Sequence, residues 1–164
     1  MVLLLCVRHG EATHNVAFAA QGEAAYVDPA HTNSALTPRG RRQAAECTWP
    51  RRPEVGVSSP LRRALDTAHR ALPLHIPLIT LDCLREFPNG VHTPNRLGRN
   101  PDSWRAGTEE TPEQLAERVE AFRTWVRTAG YGCIAVFSHT SFLEALLGRP
   151  QELPHGRVVQ LELL

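Results

Sequence analysis

Two histidines in this sequence each follow an apolar run, at the point where a buried strand is expected to end. His9 follows the run Val2–Val7, and His139 comes soon after the run Cys133–Phe137. Because the carboxyl ends of parallel strands meet at one edge of a sheet, neighbouring strands would bring the two imidazoles together. An imidazole in such a place is a candidate nucleophile or proton carrier.

Arginine residues are expected at the same edge of the sheet. Arg8 precedes the first histidine, and Arg62 and Arg63 lie on the first turn of the helix predicted after the second strand. Guanidinium groups pair with the oxygens of a dianionic phosphate, and an unprotonated histidine can attack its phosphorus. Helix N-termini at this edge would add N–H donors. These residue types indicate a phosphate site with phosphoryl-transfer chemistry.

Apolar runs and helix caps predict the elements that must position these side chains. Five strands are predicted, over Val2–Val7, Glu54–Ser58, Pro77–Leu84, Cys133–Phe137 and Val158–Leu163. Helices are predicted from Thr37-Pro38 to about Cys47, from Ser59-Pro60 to Leu72, from the capping box at Thr111 to Ala129, and from His139 to Leu147. Two segments lack clear periodicity. Residues 17–36 are expected to form a loop region with room for a short helix, and residues 87–110 are expected to cover a site.

The alternation of strands and helices predicts an α/β fold, a three-layer sandwich with a mostly parallel sheet and helices on both faces. A chain of 164 residues without a convincing linker is expected to form a single domain over residues 1–164. Its hydrophobic fraction of 42% excludes a disordered chain.

Charge and cysteine content narrow the class of function. The net charge of +1 argues against a general nucleic-acid or membrane-surface binder, so we expect no nucleic acid and no membrane among the partners. The four cysteines match no zinc module, and we expect no metal and no cofactor. The apolar N-terminal segment is too short for a signal peptide or a membrane span, which favours a cytoplasmic protein.

Four short motifs, in this order, resemble those of the histidine phosphatase superfamily, also called the phosphoglycerate mutase-like family. They are Arg8-His9-Gly10-Glu11 with Asn15, Ser58–Ala68, Leu84-Arg85-Glu86, and Phe137-Ser138-His139-Thr140. The resemblance spans residues 3–147, nearly the whole chain. It implies a mixed sheet in which the last strand is an antiparallel edge.

The resemblance also implies a role for individual residues. His9 matches the nucleophile that forms a phosphohistidine, and Glu86 matches the acid that protonates the leaving oxygen. Arg63 matches the phosphate-binding arginine when the Ala-Leu-Asp-Thr-Ala sequence that follows is used as the anchor. The residues implied to hold the phosphoryl group or phosphate are Arg8, Asn15, Arg63, His139 and Thr140, of which Arg8, Arg63 and His139 count as catalytic.

Departures from the family pattern select among its branches. His139 is followed by Thr140 and not by the acidic residue of the phytase-like branch, which favours the branch in which Glu86 is the acid. The chain is also shorter than cofactor-dependent mutases, which favours a phosphatase. A mutase and a non-catalytic phospho-ligand binding module stay open as alternatives. The expected partner is a small phosphorylated substrate or a phosphoprotein, and the sequence does not determine which, nor the oligomeric state.

The sequence also predicts the protonation state of the nucleophile. We expect nearby arginines to lower the pKa of His9 so that it attacks as the neutral imidazole.

The remaining histidines and arginines lie outside the four motifs. Surface or packing roles are assigned to His31, His69, His75 and His155. Contact with the substrate is considered for three residues of the long irregular segment, His92, Arg96 and Arg99.

Overall fold

A computed structural model describes residues 1–26, 28–31, 33–87 and 110–164. The predicted irregular segment, with His92, Arg96 and Arg99, lies largely outside these residues. Within the described residues one sheet contains five strands in the order β3-β2-β4-β1-β5. The strands are β1 (Val2–Arg8), β2 (Val55–Ser58), β3 (Leu78–Thr80), β4 (Cys133–Ser138) and β5 (Val158–Leu163).

The sheet is parallel except at one edge. β4 pairs in parallel with both β1 and β2, and β3 pairs in parallel with β2. β5 runs antiparallel to β1, with Val158 opposite Val7. The predicted mixed sheet is therefore confirmed. Arg8 pairs with Ser138, so the residues that follow β1 and β4 leave the sheet side by side.

Five α-helices connect or flank the strands of the described chain. They are α1 (Thr13–Gln21), α2 (Pro38–Ala45), α3 (Arg62–Ala71), α4 (Pro112–Thr128) and α5 (Thr140–Leu147). The predicted caps of α2 and α4 are confirmed. The Thr37 hydroxyl accepts from the Gly40 N–H at 3.0 Å, and the Thr111 hydroxyl accepts from the Gln114 N–H at 3.2 Å. Each bond satisfies a backbone donor that the first helical turn leaves unpaired.

Alternating side chains of β4 build the two hydrophobic layers. Ile134 and Val136 belong to the cluster that includes α4 and α5, whereas Ala135 and Phe137 belong to the cluster that includes α3. Successive strand residues point to opposite faces, so a continuous apolar run serves both layers. The predicted three-layer arrangement is confirmed, and the apolar stripe of α4 is buried in it at Leu115, Val119, Phe122 and Val126.

One predicted helix start was wrong, and one helix begins outside the segment in which it was expected. α1 begins at Thr13, ahead of residues 17–36, because the Asn15 carboxamide accepts from the Ala12 N–H at 2.9 Å and closes the first turn. α3 begins at Arg62 and not at Ser59-Pro60. The Ser59 hydroxyl accepts from the Leu61 N–H at 3.2 Å, but this bond lies ahead of the helix.

The third strand is shorter than predicted. β3 ends at Thr80, and Asp82–Leu84 forms a short 3₁₀ turn. The pairing stops because its neighbour β2 ends at Ser58, whose carbonyl accepts a last bond from the Leu81 N–H at 2.9 Å. No helix in the described part of the chain is long and apolar enough to cross a membrane.

Candidate active site

His9 lies immediately beyond β1 and is 3% exposed. Its backbone N–H donates to the Ser138 carbonyl at 3.1 Å, and its ring Nδ1 lies 2.7 Å from the Gly10 carbonyl oxygen. A carbonyl only accepts, so Nδ1 carries the proton and donates it. The lone pair of the neutral ring is therefore on Nε2, which is the atom able to act as a nucleophile.

The environment of His9 favours the neutral ring. Burial lowers the pKa of His9 well below its ordinary range, and the positive charge of Arg63 and the His139 and His14 rings lower it further. The predicted direction is confirmed, but burial contributes more than the arginine does. Removing water from around an imidazolium costs free energy that a neutral imidazole avoids.

His139 directly follows β4 and is fully buried. Its ring centroid lies 5.3 Å from that of His9, and its Nε2 lies 2.9 Å from the Ser59 hydroxyl oxygen. The sequence prediction that the two imidazoles come together is confirmed, because β1 and β4 are adjacent. Sequence analysis missed the contact with Ser59, which it assigned to a helix cap.

The two arginines at the start of α3 have different environments. Arg63 is 7% exposed and lies close enough to His9 to lower its pKa by charge. Its carbonyl accepts from the Thr67 hydroxyl at 2.7 Å, and that hydroxyl accepts from the Gly10 N–H at 2.9 Å. Arg62 is exposed, and its Nε lies 3.6 Å from the Asp66 carboxylate. The structure therefore brings Arg63, and not Arg62, to the nucleophile.

The loop after His9 contacts the first turns of α2 at close range. A Cβ atom on Gly10 would lie 2.4 Å from the Gly40 carbonyl oxygen, and one on Gly40 would lie 2.0 Å from the Glu11 carbonyl oxygen. The Glu11 N–H also donates to the Gln43 side chain at 2.8 Å. Only two glycines allow these backbones to approach so closely.

The other predicted phosphate ligands, Arg8, Asn15 and Thr140, lie at the same edge of the sheet and have different contacts. The Arg8 guanidinium donates to the Leu153 carbonyl at 3.2 Å. The Asn15 carboxamide, besides closing α1, places its nitrogen 3.3 Å from the His14 Nε2. Thr140 is the first residue of α5 and is half-buried.

Glu86 lies beyond the 3₁₀ turn that follows β3 and is half-buried. Its Oε1 accepts from the Phe87 N–H at 2.9 Å. Two residues earlier, the buried Leu84 carbonyl accepts from the Ser138 hydroxyl at 2.6 Å. Ser138 is the neighbour of His139, so this bond attaches the segment that carries Glu86 to the edge that carries the histidines.

Arg118 of α4 contacts the same segment, and sequence analysis did not single it out. Its Nη1 donates to the Cys83 carbonyl at 2.6 Å and to the Arg85 carbonyl at 2.8 Å. The Glu110 carboxylate pairs with the rest of the guanidinium, with Nη2 to Oε2 at 2.7 Å. Arg118 thus holds the backbone on both sides of Leu84, directly before Glu86.

The rings of two further histidines lie beside the nucleophile. The rings of His14 and His155 lie 5.9 and 5.5 Å from that of His9, centroid to centroid. His155 was assigned to the surface or to packing, and the structure instead places its Nδ1 2.7 Å from the His9 carbonyl oxygen. No local pattern could have found it, since the two residues are 146 positions apart.

The charged groups of this site are not arranged as metal ligands. Over the described ranges, no group of three or more His, Cys, Asp or Glu side chains is placed to hold a metal ion. Arginine and histidine N–H groups are suited to hold the oxygens of a phosphate, and the unprotonated Nε2 of His9 is suited to attack its phosphorus.

Comparison with known proteins identifies the family. The family model described as histidine phosphatase superfamily (branch 1) matches residues 4–163. No curated protein matches this chain in sequence.

Solved structures of phosphatases have the same fold. The alpha-ribazole phosphatase of Shigella flexneri superposes with a TM-score of 0.71 at 21% identity, covering 99% of this chain and 91% of that one. A mycobacterial glucosyl-3-phosphoglycerate phosphatase gives a TM-score of 0.68 at 22% identity over 99% and 93% of the two chains. A phosphoserine phosphatase mutant of Entamoeba histolytica, in complex with phosphoserine, gives 0.65 at 18% over 98% and 90%.

Proposed function

This chain belongs to branch 1 of the histidine phosphatase superfamily, and we propose that it hydrolyses phosphomonoesters through a phosphohistidine on His9. One observation carries the proposal. The Nδ1–H of buried His9 donates to the Gly10 carbonyl, so the lone pair is on Nε2. Arg63 and His139 lie beside this ring and supply positive charge and N–H donors.

In the first half-reaction, Nε2 of His9 attacks phosphorus and the bond from phosphorus to the ester oxygen breaks. The leaving oxygen takes a proton from the Glu86 carboxyl group. Arg8, Arg63 and His139 stabilise the charge that spreads over the other three phosphoryl oxygens. The products are an alcohol and phosphohistidine.

In the second half-reaction, water attacks the phosphohistidine and Glu86 accepts a proton from that water. Inorganic phosphate leaves, and His9 and Glu86 return to their starting protonation states. The arginines supply the positive charge, and the proposed reaction uses no metal and no cofactor.

The proposed substrate class is a small phosphorylated metabolite, acted on in the cytoplasm. The names of the solved relatives cover a ribazole phosphate, a sugar-linked phosphoglycerate and phosphoserine, which are all small phosphomonoesters. Their diversity at 18–22% identity supports this class and no single compound.

Covalent labelling of His9 tests the proposal. Brief incubation with a ³²P-labelled phosphomonoester, followed by an alkaline quench that preserves phosphohistidine, should leave label on His9. His9→Ala should abolish both label and phosphate release, whereas His69→Ala, at an exposed position of α3, should retain both. Phosphate release is measured beside formation of phosphate isomers, so that a mutase would be recognised. Substantial turnover by His9→Ala would overturn the covalent mechanism.

A further inference from the structure

The turn formed by residues 153–156, just before β5, contacts the residue that precedes the nucleophile. The Leu153 carbonyl accepts from the Arg8 guanidinium at 3.2 Å. The Gly156 N–H donates to the Arg8 carbonyl at 3.0 Å. Gly156 has a φ of +72°, a conformation that glycine adopts without strain. The turn therefore binds Arg8 through both its side chain and its backbone.

The same turn reaches the nucleophile through the His155 side chain. Its Nδ1 lies 2.7 Å from the His9 carbonyl oxygen, and its ring lies beside the His9 ring. Because the carbonyl only accepts, Nδ1 of His155 is the donor. Burial and the charge of Arg8 lower the pKa of His155, which favours the neutral ring at neutral pH.

The peptide between His9 and Gly10 is thus held from both sides. Its carbonyl accepts from His155, and its N–H, which belongs to Gly10, donates to the Thr67 hydroxyl at 2.9 Å. The next carbonyl along the chain, that of Gly10, accepts from Nδ1 of His9. Rotation of the held peptide would move this acceptor and turn the imidazole with it.

We propose that His155 is a positioning residue for the nucleophile, fixing the His9–Gly10 peptide and hence the direction of Nε2 of His9. This inference rests on the proposed function, since it concerns the direction of attack. His155 acts through the backbone of His9 and contacts neither substrate nor phosphorus in this role.

Two amide substitutions separate positioning from packing. In His155→Asn the side-chain N–H₂ occupies the place of Nδ1 and can still donate to the His9 carbonyl. In His155→Gln the corresponding group occupies the place of Nε2, one atom further out, and loses that bond. Both variants remove the ring, so both remove its packing.

The expected result is a difference between the two amides. Misplacement of a reacting group by about 1 Å can cost on the order of 10²-fold in rate. We therefore expect His155→Gln to lower kcat and the rate of phosphohistidine formation by about 10- to 100-fold with KM changed by less than about 3-fold. His155→Asn should stay within about 3-fold of wild type, and the Tm values of the two variants should agree. His75→Gln, at an exposed position, controls for loss of a histidine.

A second readout does not depend on turnover. In ¹⁵N-labelled protein both variants lose the ring-current effect of His155 on His9, so the two amides are compared with each other. The His9 ring ¹⁵N resonances should shift further from their wild-type positions in His155→Gln than in His155→Asn. Equal His9 resonances in the two variants, or equal loss of rate in both, would overturn the positioning role. Absence of phosphohistidine in wild type would instead overturn the proposed function, while the resonances still report on His155.

Discussion

The nucleophile and the acid of the proposed reaction lie in regions of the molecule that are built differently. The nucleophile region contains His9, Arg63 and His139 with their loops, and all three side chains are buried. His9 follows the central strand β1, His139 follows the central strand β4, and Arg63 lies on the first turn of α3. The acid region, residues 82–86, follows the three-residue edge strand β3, and Glu86 is only half-buried.

The bonds that hold the two regions differ as well. In the nucleophile region, the ring of His9 itself is bonded, to the Gly10 carbonyl. In the acid region the side chains of Ser138 and Arg118 donate hydrogen bonds to backbone carbonyls, those of Leu84 and Cys83 among them. The Glu86 carboxylate accepts only from the N–H of Phe87, its neighbour in the chain, among the hydrogen bonds described for it. A fixed nucleophile suits a phosphoryl group that is the same in every substrate, and a less enclosed acid suits leaving groups that vary. The two regions should therefore respond separately to substitution.

The largest expected effect lies in the nucleophile region, at Arg63. Arg63→Ala removes a cation that stabilises charge in the transition state, an effect worth about 10³–10⁵-fold in kcat for arginines in phosphoryl transfer. Alkyl and aryl phosphates should lose rate alike, because both transfer the same group. Arg62→Ala, one residue earlier and exposed, is the matched control and should stay near wild type. Equal losses in the two variants would contradict the assignment of Arg63.

The next largest effect is expected in the acid region, and it should depend on the leaving group of the substrate. Glu86→Gln should slow alkyl phosphates by about 10²–10⁴-fold, because an alkoxide needs a proton as it leaves. p-Nitrophenyl phosphate should be slowed far less, since p-nitrophenolate leaves without one, and phosphohistidine should still form from it. Steady-state rates on both esters measure the difference. Equal slowing of the two would mean that Glu86 shapes the pocket and that another group is the acid.

A smaller effect is expected at Arg118, which supports the acid region from α4. Arg118→Met removes its bonds to the Cys83 and Arg85 carbonyls, so Glu86 should lose its position and alkyl phosphates should slow by about 10-fold. The aryl ester should be almost unaffected.

Arg123→Met is the control for Arg118, because Arg123 also lies on α4 and donates to a carbonyl, that of Leu146 at 2.8 Å, away from the acid region. It should retain the rates on both esters. A loss in Arg118→Met that affects both esters equally would show that α4 supports the nucleophile region too.

The smallest effect concerns pH and the nucleophile region alone. The pKa of His9 is lowered in the folded protein, while the unfolded chain binds a proton near pH 6.5. The stabilisation from neutral His9 is therefore complete above pH 6.5 and is lost as pH falls toward the folded pKa, by at most about 1.4 kcal/mol per pH unit. Urea unfolding of His9→Asn should show a shallower decline below pH 6.5 than wild type. Identical slopes would contradict a lowered pKa.

The same lowered pKa fixes the sign of the activity profile. His9 attacks as the neutral ring, so with p-nitrophenyl phosphate, whose leaving group needs no proton, protonation of His9 should lower kcat/KM only well below pH 6.5. A decline of this ester's kcat/KM centred at or above pH 6.5 would contradict a lowered pKa of His9.

Much of the fold could be predicted because its signals are local. The apolar runs of β1 and β4 identify strands buried on both faces, and the capping box at Thr111 identifies the start of α4. The boundaries that were wrong depend on neighbours. β3 ends early because β2 ends, a fact that the residues of β3 do not contain.

The sequence by itself determined the family, the order of the five strands and of the helices α2 to α5 along the chain, and the residues proposed for the chemistry, because short motifs and periodicity are properties of neighbouring residues. Only the tertiary structure decided that Ser59 contacts His139, that Arg118 holds the acid region, and that His155 donates to His9. The physical reason is that these hydrogen bonds join residues far apart in the chain. They form only when β2 pairs with β4, when β5 pairs antiparallel with β1, and when α4 meets the segment that carries Glu86.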